Sequence, residues 1–167
     1  MKKGLGEALK FLLVSCAVGV VHLVLLNVLF FSLRGWKAPL PEFLRGIFSP
    51  AVVGEGNDNW GYVLPFLLAN ITANVYGYFQ NRKTTFCAKN VPRYCLWIYL
   101  AVLSVLILFF SWLQGVIAHA LVAWGSPRLV PFAPTIATVT TNTMQLAILF
   151  PLEKYVLFRD RGEPEQA

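Results

Sequence analysis

Four stretches of this chain contain no Lys, Arg, Asp or Glu: Phe11–Leu33, Asn59–Asn81, Tyr94–Pro127 and Leu129–Leu152. A helix needs roughly 18 to 20 largely apolar residues to cross a bilayer, and each stretch reaches that length. Four such runs in 167 residues leave no room for a soluble domain. The charged fraction agrees, at 13% against roughly 25% in soluble domains. The expectation is an all-α integral membrane protein, a four-transmembrane-helix bundle. It forms a single domain over residues 1–167, with helices at roughly 7–33, 62–81, 94–118 and 131–152.

The lead Met1-Lys2-Lys3 is followed by an apolar run longer than a signal-peptide core, with no small-x-small cleavage site close behind it. It therefore reads as the first retained helix. The net charge of +6 belongs beside membrane segments and does not imply nucleic-acid binding. Lys2, Lys3, Lys10, Arg82, Lys83, Lys89, Arg93, Lys154, Arg159 and Arg161 fall on one side of the four runs. Arg34, Lys37, Arg45 and Arg128 fall on the other. This split places both termini and the connection after the second helix in the cytoplasm, for a multi-pass protein of the cytoplasmic (inner or plasma) membrane.

The connection at residues 34–59 contains Pro39, Pro41 and Pro50 and the turn-rich run G-E-G-N-D-N, which argues against one continuous helix. Its apolar piece F-L-R-G-I-F suits the membrane interface, and Trp36 and Trp60 flank it as interfacial aromatics do.

The second run is uncharged yet polar on one side. On a 3.6-residue period Asn70, Asn74, Gly77 and Asn81 share a face, and Arg82 and Lys83 follow at once. Amides facing hydrocarbon are costly, so this stripe must face helices, water or a polar ligand. An Arg at headgroup depth can grip a lipid phosphate through two parallel hydrogen bonds, with Lys beside it as a point charge. The candidate binding residues are Asn70, Asn74, Tyr78, Asn81, Arg82 and Lys83; for Tyr76 and Tyr78 a belt of interfacial aromatics is the alternative. Ser15, Ser104, Ser111, Thr135 and Thr138 read as packing seams between helices. His22 is a lone ionisable group in the first helix, a candidate functional residue by default. A neutral, hydrogen-bonded packing histidine is its alternative.

The chain also carries a faint internal repeat. A single shift of register places Asn70 on Asn142, Arg82 on Lys154 and Phe86 on Phe158. Each half is then two helices starting and ending in the cytoplasm, as parallel repeats require. Asn142, Gln145 and Lys154 become candidate contributions of the second repeat. Glu153 reads as a local pair with Lys154 of little energetic weight.

Enzyme chemistry is not expected. The uncharged runs and the cytoplasmic connection hold no carboxylate, and no Ser/His/Asp set, D-x-D pair or phosphate-cradling glycine loop occurs. Cys16, Cys87 and Cys95 make no C-x-x-C pair or Cys/His cluster, so no metal, cofactor or disulfide framework is expected.

Three segments carry a resemblance: E-A-L-K-F-L-L-V near the start, A-N-x-x-A-N-x-Y-x-Y-x-x-N-R-K-x-T-F through Asn74, Tyr78, Asn81, Arg82, Thr85 and Phe86, and E-K-Y-V-L-F near the end. Over nearly its whole length the chain resembles the GtrA-like membrane proteins. The resemblance implies handling of a polyprenyl-phosphate-linked sugar. One form is translocation (flipping) across the cytoplasmic membrane for cell-envelope polysaccharide or glycan modification. The other is a non-transporting anchor or accessory subunit of a membrane glycosyltransferase, as in the membrane unit of some polyprenyl-phosphate mannose synthases. Expected partners are the lipid-linked sugar, membrane lipid and such a glycosyltransferase. A polar path through so narrow a bundle also implies at least a homodimer. The chain departs from the family pattern at Ser15 and Cys16, where G-G is frequent, at His22, where Asp is common, at Thr84, where an aromatic is frequent, and at Glu153, where a base is common. Its connection at 34–59 is also long.

Overall fold

The computed structural model describes residues 2–48, 50–53, 55–89, 91–124 and 130–158. It is helical throughout, with no strand among the described residues. The long helices are α1 (Lys2–Leu33), α4 (Trp60–Gln80), α5 (Tyr94–Trp124) and α6 (Ala133–Pro151); α2 (Glu42–Ile47) and α3 (Pro50–Val53) are short. Residues 125–129, with Arg128, lie outside the described residues, as do Arg159, Arg161 and the acidic tail.

Two helices, Gly6–Leu33 and Tyr94–Trp124, are long and apolar enough to cross a membrane. Along α1, Leu13, Val20, Val24, Val28 and Phe31 are exposed, and along α5 Trp97, Val105, Phe109 and Trp112. An apolar surface of that extent demands lipid or a partner rather than water.

Helix α1 packs along α4 and α5 along α6, and the two pairs meet through α4 with α5 and α1 with α6. Close approach along α1 and α4 depends on glycine. A Cβ on Gly77 would lie 2.7 Å from Val18 Cγ2, and one on Gly61 would lie 2.6 Å from the Trp36 carbonyl oxygen.

The buried face of α4 recurs every fourth residue: Gly61, Pro65, Ala69, Ala73 and Gly77, continuing to Asn81 and Thr85. That of α6 does the same through Ala133, Ala137, Thr141, Leu149, Glu153 and Leu157, with Gln145 half-buried at the intervening step. The shift that lays Asn70 on Asn142 also lays the first series on the second, Gly61 on Ala133 through to Thr85 on Leu157. In an α-helix a four-residue step drifts about 40° per turn from the 3.6-residue period, so such a seam winds around the helix. Both helices then widen into π turns, Asn81–Thr85 and Leu152–Leu157. A π turn holds more residues than an α turn, so every fourth residue stays inward longer. The turns close alike: the Phe86 N–H donates to the Asn81 carbonyl at 2.9 Å, and the Phe158 N–H to the Glu153 carbonyl at 2.8 Å.

The 34–59 connection carries the short helices α2 and α3. Its ends are tied by an antiparallel bridge between Pro39 and Asn59 and by stacking of Trp36 on Trp60 at 6.3 Å. Leu40, Leu44, Phe48 and Val53 bury themselves on Val63 of α4. Within F-L-R-G-I-F the apolar Phe43 is exposed along with Arg45 and Gly46, while Leu44 and Phe48 are buried.

Candidate functional site

A cavity of about 50 Å³ opens between the halves, lined by Phe11, Ser15, Val18, Asn74, Gly77, Asn81, Tyr99, Leu146, Leu149 and Glu153. Three pairs among these, Asn74 with Leu146, Gly77 with Leu149 and Asn81 with Glu153, are related by the shift that lays Asn70 on Asn142. The four-residue seams of α4 and α6 meet at this cavity.

The amide stripe faces inward, and its polar groups are engaged. Asn74 Nδ2 donates to the Asn70 carbonyl at 2.9 Å and to Asn70 Oδ1 at 2.8 Å. The Tyr99 hydroxyl donates to the Asn74 carbonyl at 3.1 Å, tying α5 to α4. Asn81 is buried and its Oδ1 accepts from the Thr85 hydroxyl at 3.0 Å. The Asn81 side chain also neighbours the Glu153 carboxyl and favours its charged form.

Glu153 corrects two sequence expectations. The carboxylate-free interior does contain a carboxyl, because Glu153 is 1% exposed and lines the cavity. Nor does it pair with Lys154, whose Nζ instead bridges to Glu7 of α1 at 2.8 Å and lies over the Phe150 ring. Glu153 Oε2 is buried and has no hydrogen-bond partner among the described residues. The group sits beyond the last residue of α6, in the π turn. There burial pushes its carboxyl up to about 8, and the Asn81 amide pulls the other way. The sequence signal that would have found it is the internal repeat, which lays Asn81 on Glu153.

The basic residues stand apart from the cavity. Arg82 folds back on the connection that follows, with Nε donating to the Ala88 carbonyl at 3.3 Å and Nη2 to the Lys89 carbonyl at 3.0 Å. The chain reverses at Cys87, which has a positive φ of 51°. Lys83 is exposed. Tyr78 is not at an aromatic belt: it is 2% exposed, in a cluster with Tyr99, Phe158 and Phe79. Tyr76 is exposed.

Of the second-half residues, Asn142 faces outward, Gln145 is half-buried and Lys154 is held by Glu7. His22 does not line the cavity. Its ring stands edge-on to Phe66 at 5.9 Å, and its buried Nε2 has no hydrogen-bond partner among the described residues. The packing seam is seen directly where Gln114 Nε2 of α5 donates to Thr138 Oγ1 of α6 at 3.0 Å. Among the described residues no three His, Cys, Asp or Glu side chains gather as metal ligands.

Comparisons with family models, curated proteins and solved structures return no match.

Proposed function

We propose that this chain is a four-span membrane protein built from two parallel two-helix repeats, and that it handles a polyprenyl-phosphate-linked sugar at the cytoplasmic face. Helices α4 and α6, with 21 and 19 residues, have the length of a crossing but bury polar side chains between the halves. The repeat reading is supported by the matching four-residue seams and matching π turns at one offset. Both termini then lie in the cytoplasm with the basic groups.

The observation that carries the cargo reading is the placement of one motif. Its amides, Asn74 and Asn81, line the interior, and its bases, Arg82 and Lys83, follow at the helix end. Arg82 spends two N–H groups on loop carbonyls, which leaves three of the five guanidinium donors for a phosphate. The phosphate would rest on Arg82 and Lys83 at headgroup depth, with the sugar toward Asn81.

A second reading is favoured by size. A 50 Å³ cavity admits a few water molecules, not a sugar. A chain that never opens further would serve as the anchor or accessory subunit of a membrane glycosyltransferase. Reconstitution separates the two readings. Purified protein in vesicles containing a labelled polyprenyl-phosphate sugar should equilibrate the label between leaflets if it transports. A rate equal to that of protein-free vesicles rejects transport.

A further inference from the structure

The cavity between the halves is unusual in what its polar groups have left to offer. Ser15 spends its hydroxyl hydrogen on the Phe11 carbonyl at 2.8 Å, and Tyr99 spends its own on the Asn74 carbonyl. Both amide hydrogens of Asn74 go to Asn70. The Asn81 amide serves Glu153, and its oxygen is taken by Thr85. Beyond the second N–H of Asn81, what these lining residues have left unspent is oxygen lone pairs: Ser15 Oγ, Tyr99 Oη, Asn74 Oδ1 and the unpartnered Oε2 of Glu153. A lining so dominated by acceptors is a poor site for an anion or for a neutral acceptor. An ionised carboxylate in an otherwise uncharged lining also carries a single uncompensated negative charge, which is costly to bury alone.

We propose that this cavity is a binding site for one small monovalent cation, a proton or a sodium ion, neutralising Glu153 and held by the oxygens of Ser15, Asn74 and Tyr99. Its volume suits either occupant, as a protonated carboxyl with water or as a partly dehydrated ion. Hard cations take oxygen ligands, and the donor set is all oxygen. The site is distinct from the phosphate contact at Arg82 and does not depend on the cargo reading. If the protein does transport, the site gives it a place to couple an ion gradient.

The groups around Glu153 determine how it titrates. Burial raises it and the Asn81 amide opposes the rise; Tyr78 of α4 and Tyr99 of α5 lie within reach of its charge, Arg82 of the π turn after α4 and Cys95 of α5 lie beside Tyr78, and Glu7 of α1 is bridged to Lys154. Lys154 and Tyr155 adjoin Glu153 in its own turn. The cation nearest in sequence, Lys154, is occupied by Glu7 and leaves Glu153 to the cavity. The Glu153 carboxyl is raised in the folded protein, so folding takes up a proton. Stability linked to it is fully present below the ordinary carboxyl range and is lost as pH rises through about 8.

The test is thermal unfolding of the full chain in lipid nanodiscs, with sodium chloride against choline chloride, at about pH 6 and about pH 9, on either side of that value. If sodium is the occupant, sodium raises Tm by a few degrees at the higher pH, and Glu153→Gln abolishes the rise. If the proton is the occupant, sodium has no effect, the Tm of the unsubstituted chain falls between the two pH values, and Glu153→Gln flattens the fall. Asn74→Leu keeps the carboxyl and removes one oxygen, so it should weaken the sodium response several-fold. A Tm of the unsubstituted chain that is indifferent to both sodium and pH overturns the proposal without reference to any variant. So do equal responses in the unsubstituted chain and Glu153→Gln.

Discussion

Phe86 and Phe158 pack against one another with ring centroids 5.4 Å apart and planes at 39°. Each is the first residue beyond a π turn, and the internal repeat lays one on the other. Residues that correspond between two halves meet in space when a two-fold axis runs between those halves. Asn81 and Glu153 correspond in the same way, and they meet one turn earlier. The shared geometry carries unlike chemistry, an amide on one side and a carboxyl on the other. This asymmetry gives the cavity its single carboxyl.

Gly77 tests how tightly α1 and α4 are joined. An alanine there improves helix propensity by up to about 1 kcal/mol, but its methyl group meets Val18 Cγ2 at 2.7 Å. Val18 is β-branched and stiff, so the helices must separate. Gly77→Ala should lose about 1–2 kcal/mol net, within the overpacking range. Val18→Ala in the same chain should restore most of it. Measured by denaturant unfolding in detergent, additive losses in the double variant would show that the two residues do not share this contact.

How much of this is legible in the sequence depends on the period used. The uncharged runs point to the four long helices, because their length and the charges between them leave few alternatives. The inward turn of Asn74 and Asn81 is readable from the cost of exposing amides. Glu153 escapes notice because a 3.6-residue period places it at a helix end beside a lysine. The actual seam steps by four and is carried through a π turn, which aims Glu153 inward. The small residues Gly61, Ala69, Ala73 and Gly77 already show that step in the sequence. The partner of Arg82 is not legible, since bonds to the carbonyls of Ala88 and Lys89 depend on the chain reversal at Cys87.

His22 is expected to be silent in stability. Its Nε2 is buried without a partner among the described residues, and its ring packs on Phe66. Replacing an unsatisfied polar group by an apolar one of similar size is near neutral or stabilising. His22→Leu should therefore stay within about 1 kcal/mol of the parent or exceed it. A loss well beyond that would reveal a hydrogen bond made in the membrane. If lipid-linked-sugar transfer is pH-dependent, an unchanged pH profile in the variant excludes His22 from proton handling.

Topology follows from the distribution of bases. In a chain with Cys16, Cys87 and Cys95 replaced by serine, a single cysteine at Glu55 should react with an impermeant thiol reagent added outside intact cells. One at Lys89 should react only after the membrane is opened. Both positions are exposed, so burial does not confound the result. The reverse pattern would invert the orientation and move the phosphate contact to the outer face.

Arg82 decides between a phosphate contact and a purely structural role. Its guanidinium already ties down the connection through Ala88 and Lys89, so any loss on substitution has two sources. Arg82→Lys keeps the charge and hence the orientation, but loses the planar two-point grip on a phosphate. The expected outcome is a several-fold fall in sugar modification of the envelope in complemented cells, normalised to protein level, with Tm unchanged within a few degrees. Asn81→Ala should lower modification similarly, because it removes the amide between the cavity and the base. A structural role predicts a different pair of results: Arg82→Lys lowers Tm and abundance, while modification per molecule is preserved. Charge alone predicts a third, in which Arg82→Lys is silent and removing any two of Arg82, Lys83, Lys89 and Arg93 is equally harmful. Normal modification with both Arg82→Lys and Asn81→Ala would leave the motif as a packing seam beside an orientation signal, and the phosphate contact would have to be abandoned.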